Sequence, residues 1–340
     1  MIGAIKNIFI LCCLILSVAL LAMFLIQIPW VFKQALKVTI AKEVKGYKII
    51  DLDFTDHSLE FFKFVSISGF KIVVQNEHGD QWQFRSRDLN LRCDNLLGKD
   101  INKTVSVEFE EASLKSKKGV AVTDVSFTGD MHLKDKKLSH IKGTLTVGEV
   151  VAHELVVNDL KTYVLATQGE LHLQDIWARF YEGIIKGEII VANKKHLPYN
   201  IDMQFVGVDF GSLSMSQFDL SSKIQGIYDG FIHIVGSQQK IKTVTGSVDA
   251  TQLAFIHSSL LAFHFQFLPE TIVSSLNNIT AEKSFIPMEE ISISFTNKSN
   301  SLMYVESKLA SQKHNLDLNI DYDINLNRSL TDLFNKWRKH

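Results

Sequence analysis

Proline is nearly missing from this chain: four residues in 340, where ordinary usage would supply about 17. The shortage excludes Pro-rich linkers and favours long unbroken elements. Cysteine is almost as rare, at three. Cys12 and Cys13 fall in an apolar N-terminal run, so Cys93 has no partner for an internal disulfide in the rest of the chain. Neither charge sign dominates, with 36 Lys and Arg against 37 Asp and Glu. A chain so balanced carries no basic footprint for a polyanion, which excludes nucleic acid as a partner.

Signatures of catalysis and metal binding are missing too. His153-Glu154 opens like a zinc-protease helix, but the second histidine would fall at Val157. Asp51, Asp53, Thr55 and Asp56 begin like a calcium loop, yet the turn glycine is replaced by Asp56 and the closing glutamate by Phe62. There is no nucleophile elbow, no Walker loop and no cysteine pair at metal spacing. The expectation is a non-enzyme with no catalytic residue, no metal and no cofactor. The 12 histidines are scattered, and His172 and His233 read as solvated positions on the polar side of strands.

What is present begins with an uncharged run from Ile8 to Ile28, which as a helix would span about 31 Å. Ile8, Leu14, Leu20 and Ile28 mark this expected transmembrane anchor, with Trp30 at its far interface. Phe32, Leu36, Ile40 and Val44 then keep helical spacing, so residues 1–45 read as a cytoplasmic N-terminus, anchor and helical stalk. Lysines at 33, 37, 42 and 45 follow the anchor, but long domains cross regardless of charge and the bias does not fix orientation.

Near Tyr47 the period drops to two, with Ile50, Leu52 and Phe54 alternating with Asp51, Asp53 and Thr55. Phe61 to Val74 and Trp82 to Cys93 read as an antiparallel pair around a turn at Asn76 to Asp80. Val105, Val107 and Phe109 continue the pattern, and Lys115 to Lys118 form a solvated turn before Gly119. Further strands are expected at Val120 to Phe127, Gly129 to Leu133, Gly143 to Val147 and Glu154 to Val157.

The alternation is densest from Tyr163 to Ala250. Leu171 and Leu173, Ile189 and Val191, Ile201, Met203 and Phe205, and Ile232 and Ile234 each place apolar side chains on one face. Glycines at 169, 187, 207, 226, 230, 236 and 246 read as punctuation at strand ends. Phe263 to Asn277 is a helix candidate with Pro269 in its first turn. Strands resume at Ile291 to Thr296 and Leu302 to Leu309. Leu316, Leu318 and Ile320 then alternate with Asp317, Asn319 and Asp321, giving one apolar and one acidic face. Residues 329–340 return to helical spacing with Lys336, Arg338 and Lys339, as a basic amphipathic helix for a membrane surface or a cap over a sheet end.

The anchor with GYKIIDLDF after it, then WARFYEGIIKGEIIV, VGVDFGSL, IQGIYDGFIHIVG and TGSVDA, resembles the AsmA-like family of bacterial envelope proteins, which includes the TamB and YdbH-type proteins. The resemblance covers the anchor to Phe54 and Lys161 to Leu326, the middle being joined by strand character. It implies a mainly β protein: an N-terminal transmembrane helix, then an elongated, curled, antiparallel-rich sheet over 46–328 forming an apolar groove, with one or two short helices. It further implies a single-pass protein of the bacterial inner membrane with its bulk in the periplasm, whose partner is phospholipid or another lipid. The groove candidates are Leu171, Leu173, Ile189, Val191, Ile201, Met203, Phe205, Ile232, Ile234, Leu316, Leu318 and Ile320. About 16 to 20 strands at about 4.8 Å each would make a sheet about 75 to 95 Å long, short beside the family's larger members. A reading of another class is an envelope assembly or structural factor that binds outer-membrane or envelope proteins through a sheet edge.

Overall fold

Alternating apolar and polar residues give a strand one buried and one wetted face, and the chain uses this device almost throughout. The computed structural model describes residues 33–34, 37–38, 47–60, 63–76, 79–93, 102–117, 119–134, 137–152, 155–193, 197–213, 223–237, 240–258, 284–299 and 302–325. The anchor positions Ile8, Leu14, Leu20, Ile28 and Trp30, the helix expected at 263–277 and the one at 329–340 lie outside them. Among the described residues no helix is long and apolar enough to cross a membrane. Of the expected stalk, Lys33, Gln34, Lys37 and Val38 are helical.

The chain divides into two compact units, Met1–Ile176 and Trp177–His340. In the first, β1 (Tyr47–Asp53), β2 (Asp56–Glu60), β3 (Phe64–Asn76), β4 (Gln81–Arg92), β5 (Asn102–Ser116), β6 (Val120–Lys134), β7 (Lys137–Ala152) and β8 (Leu155–Thr167) form an antiparallel sheet. Its order is β1-β3-β4-β5-β6-β7-β8, with β2 also on β3. The turn expected between β3 and β4 is present: Asp80 N–H donates to Asn76 Oδ1 at 2.8 Å, and Gly79 takes φ +81°. The Lys117 turn before Gly119 is present as well.

One face of this unit is apolar. Ile67, Leu89, Phe109 and Phe127 stand opposite one another across β3 to β6. The rings of Phe70, Phe84, Phe109 and Phe127 form a chain with centroids 6.1, 6.2 and 5.7 Å apart, each pair contributing about 0.5–1.5 kcal/mol beyond its buried area. On the other face Ser66 Oγ donates to Asn90 Oδ1 and Ser68 Oγ to Asp88 Oδ1, both at 2.7 Å.

The structure changes two local expectations here. Ile50 faces solvent, because the β1–β3 register shifts between Ile49 and Asp51. The break expected at Thr128 is absent, and β6 runs on through Gly129, which pairs with Gly143 in mid-strand. A Cβ on Gly129 would lie 2.3 Å from the Lys142 carbonyl oxygen and 2.8 Å from Phe127 Cζ. Glycine there makes room for a neighbour; it does not end a strand.

Interruptions of the ladder fall at one level across this unit. Gly69, Glu111, Asp124 and Asp159 all have positive φ, between 48° and 65°. Gly148 stands at the same level in β7, bracketed by the pairings of Thr123 with Glu149 and Val125 with Val147 toward β6, and of Glu149 with Asn158 and Val147 with Leu160 toward β8. At Gly69, Asp124 and Asp159 the register is the same on both sides of the gap, whereas between β5 and β6 it shifts around Ala112, a bulge that bends the strand and increases its twist. Arg87 lies at this level too, its guanidinium bonded to Asp88, Glu110 and Glu111.

β9 (Glu170–Phe180) crosses from one unit into the next. The second unit continues with β10 (Gly183–Ala192), β11 (Pro198–Asp209), β12 (Ile224–Gln225), β13 (Ile227–Ser237), β14 (Lys240–Ala250), β15 (Ala254–His257), β16 (Phe285–Met288), β17 (Glu290–Ser299), β18 (Leu302–Ser311) and β19 (Leu316–Asn325). Its main order is β10-β11-β13-β14-β17-β18-β19, while β12, β15 and β16 make a separate three-stranded sheet. Tyr181 and Glu182 turn β9 into β10 with φ of 44° and 66°, the handedness a two-residue hairpin needs. The fold class is mainly β and antiparallel, as the alternation requires.

Candidate functional site

Register in the second unit lines the apolar residues into rows. One row runs Ile185, Phe205, Gly230, Val248, Ile293. The next runs Gly187, Met203, Ile232, Gly246, Phe295. Directly opposed residues point to the same side of a sheet, so the two rows form one apolar band. Its side chains are half-buried. Beyond it lies a third row, Ile189, Ile201, Ile234 and Val244, of which Ile189, Ile201 and Val244 are buried.

Glycine is what keeps the band level. A Cβ on Gly230 would sit 2.4 Å from Phe205 Cζ, one on Gly246 2.7 Å from Phe295 Cζ, and one on Gly187 2.8 Å from Met203 Sδ. Each large side chain therefore lies over the bare backbone of its neighbour. The expectation that Gly187, Gly230 and Gly246 mark strand ends is thus corrected: all three are inside strands, for the same reason as Gly129.

The opposite face is polar. Glu188, Asp202, His233 and Thr245 are aligned across β10 to β14, with His233 Nδ1 bonded to Asp202. Asn200 Nδ2 donates to Asp202 Oδ2 at 3.0 Å. Ile184, Ile190, Val206, Phe231 and Val235 are apolar exceptions there, Phe231 and Val206 being 46% and 44% exposed.

At the β17–β19 end the same apolar face is covered. Ala254, Ile256, Ile286 and Met288 of the small sheet pack with Ile291, Leu309, Leu316, Leu318 and Ile320 of the main sheet. Tyr228 belongs to this core, and Val248 and Ile293 of the band pack against it. Ser311 Oγ donates to the Pro287 carbonyl at 2.7 Å, and Gln312 N–H to Glu289 Oε2 at 2.9 Å, tying the small sheet down.

The structure therefore distributes the groove candidates over three settings. Met203, Phe205 and Ile232 lie in the band, with Ile189, Ile201 and Ile234 in its bordering row and buried Val191 one pair further along. Leu316, Leu318 and Ile320 are packed under the small sheet. Leu171, buried, and Leu173, half-buried, belong to the first unit.

Tyr228 escaped the sequence reading because it looked like one more strand aromatic. It is 1% exposed, its ring lies against Phe210 at 4.4 Å between centroids, and its hydroxyl makes no hydrogen bond among the described residues. Burial pushes its pKa up, so the phenol keeps its proton. The short β15 and β16, four residues each, also escaped, since so few residues carry little periodicity.

The calcium-like run dissolves into ion pairs. Asp51 accepts from Lys71 at 2.8 Å and Asp53 from Lys33 at 2.9 Å, and these hydrogen bonds hold both carboxyls below their usual range. Among the described residues no group of three His, Cys, Asp or Glu could hold a metal ion.

Residues 102–253 match the family model of the AsmA family. The match is to this region and covers less than half of the chain. That region opens on the first residue of β5 and closes just after β14, so the band from β10 to β14 lies inside the matched stretch, while its last residues, Ile293 and Phe295 of β17, follow it with the rest of β15 to β19. It includes residues 102–160, where the sequence resemblance rested on strand character alone. No curated protein and no solved structure matches the chain.

Proposed function

We propose that this chain is a membrane-anchored envelope protein that binds lipid, and transfers it, along the apolar face of its sheet. The carrying observation is the two-row apolar band across β10 to β17, half-buried and free of ionisable side chains. An acyl chain leaving a bilayer loses about 0.8 kcal/mol for each methylene it exposes to water. A continuous apolar row is the surface that offsets that cost. The match to the AsmA family and the ionisable side chains aligned on the opposite face support the same reading. In this reading Ile8 to Ile28 hold the protein in the inner membrane and the strands work in the periplasm, supplying phospholipid to the outer membrane.

The test is native mass spectrometry of the full chain purified in detergent. Co-purified phospholipid, lost when Ile232 is replaced by Glu in a protein that melts within a few degrees of the parent, is the expected result. A parent chain that retains no lipid, before or after incubation with phospholipid, overturns the reading and favours attachment of partners through a sheet edge.

A further inference from the structure

Resting on the lipid reading above, we propose that the Tyr228 hydroxyl is a specificity-determining donor that binds the ester carbonyl of an acyl chain lying in the band. Tyr228 stands two residues before Gly230 on the same face of β13, one row beyond the band. Its neighbours in the core are apolar, and Val248 and Ile293 lead from the band to it. A buried hydroxyl without an acceptor is costly, and native structures rarely leave one unexplained. The acceptor that fits must be neutral, since a phosphate among these side chains would be a buried charge without a counter-charge. An ester carbonyl meets that condition and comes attached to the chain the band would hold.

Access is from the side of the ring that faces Phe210. Phe210, half-buried and just after the end of β11, lies against the Tyr228 ring and belongs to neither sheet, so in this inference it is the side chain that moves to admit the ester. Gly226, with φ +134°, joins β12 to β13 beside it; a Cβ there would lie 2.8 Å from Ala254 Cβ and 3.4 Å from Tyr228 Cε2. Nothing larger than glycine fits between the phenol and the small sheet.

The experiment compares two probes on the full chain in detergent, titrated by native mass spectrometry: dipalmitoyl phosphatidylethanolamine and its dialkyl ether analogue, which has no carbonyl. The parent should bind the ester about three- to tenfold more tightly, the worth of one net hydrogen bond. Tyr228→Phe, which keeps the ring, should bind the two alike. Equal binding of both probes by the parent overturns the inference and leaves lipid binding standing. So does an ester preference that survives in Tyr228→Phe, because the donor would then be elsewhere. Failure of the parent to bind either probe removes the lipid reading itself, and this inference with it.

Discussion

The band across β10 to β14 and the core beneath β15 and β16 are made from the same residue types, on the same face of hydrogen-bonded neighbours. They differ in cover. In the core, Ile286 and Met288 are 0% exposed because a second sheet lies across the first, whereas Met203, Phe205 and Ile232 keep part of their surface open. They differ also in their place relative to the family match, which holds the band from β10 to β14 but neither its β17 end nor the rest of β15 to β19. One apolar face can thus serve stability over part of its length and remain available over another part. Alternation marks a face; it does not say what will lie on it.

The comparison breaks most sharply on a buried charge. Ile286→Glu places a carboxylate in a core with no partner for it, at a cost of several kcal/mol against a net stability of about 5–15 kcal/mol. The second unit should then fail to fold, seen as loss of its thermal transition in circular dichroism. Ile232→Glu in the band leaves its carboxylate some hydration and should lower the melting temperature by only a few degrees. Equal losses from the two substitutions would mean that the band is packed as tightly as the core.

A smaller effect probes how the band is levelled. Gly230→Ala puts a methyl 2.2 Å from the Ser247 carbonyl oxygen as well as on the Phe205 ring. The ring can swing aside but the carbonyl belongs to the ladder, so overpacking of about 1–3 kcal/mol is expected. Denaturant titration should show it as a lower midpoint with an unchanged slope. A neutral result would show that β13 and β14 can part slightly at no cost, and would weaken the claim that glycine is required there.

Those glycines show where the sequence was legible. Period-two alternation located most of the described strands, and it assigned the two faces of β19, with Leu316, Leu318 and Ile320 buried and Asp317, Asn319 and Asp321 exposed. It failed wherever the reason for a residue lies on another strand. Gly129, Gly187, Gly230 and Gly246 looked like turns because nothing local distinguishes a glycine that bends the chain from one that yields to a ring across the ladder. Ile50 fitted the alternation but a register shift turned it outward. The separation of Leu318 from Phe205 was invisible for the same reason: both alternate cleanly, and only the small sheet divides them.

The smallest expected effect concerns Tyr228, which belongs to the core by burial and to the band by position. Its unpaired hydroxyl costs the folded state about 1–3 kcal/mol. Tyr228→Phe keeps the ring against Phe210 and removes that cost, so the lipid-free protein should gain about 1 kcal/mol, or about 2–4 °C in melting temperature. The pH profile gives a second readout. Because burial raises the phenol's pKa, the native state holds a proton that the unfolded chain releases above about pH 10, and stability therefore falls as pH rises through that range. The variant should lose part of that alkaline decline, Tyr199 retaining its own share through burial. Adding an ester lipid should narrow the gap between parent and variant, since a ligand bound more tightly by the native parent stabilises it in proportion to its occupancy. A lipid-free Tyr228→Phe that melts below the parent would show that the hydroxyl already has a partner within the protein, and Tyr228 would then be a core residue like its neighbours.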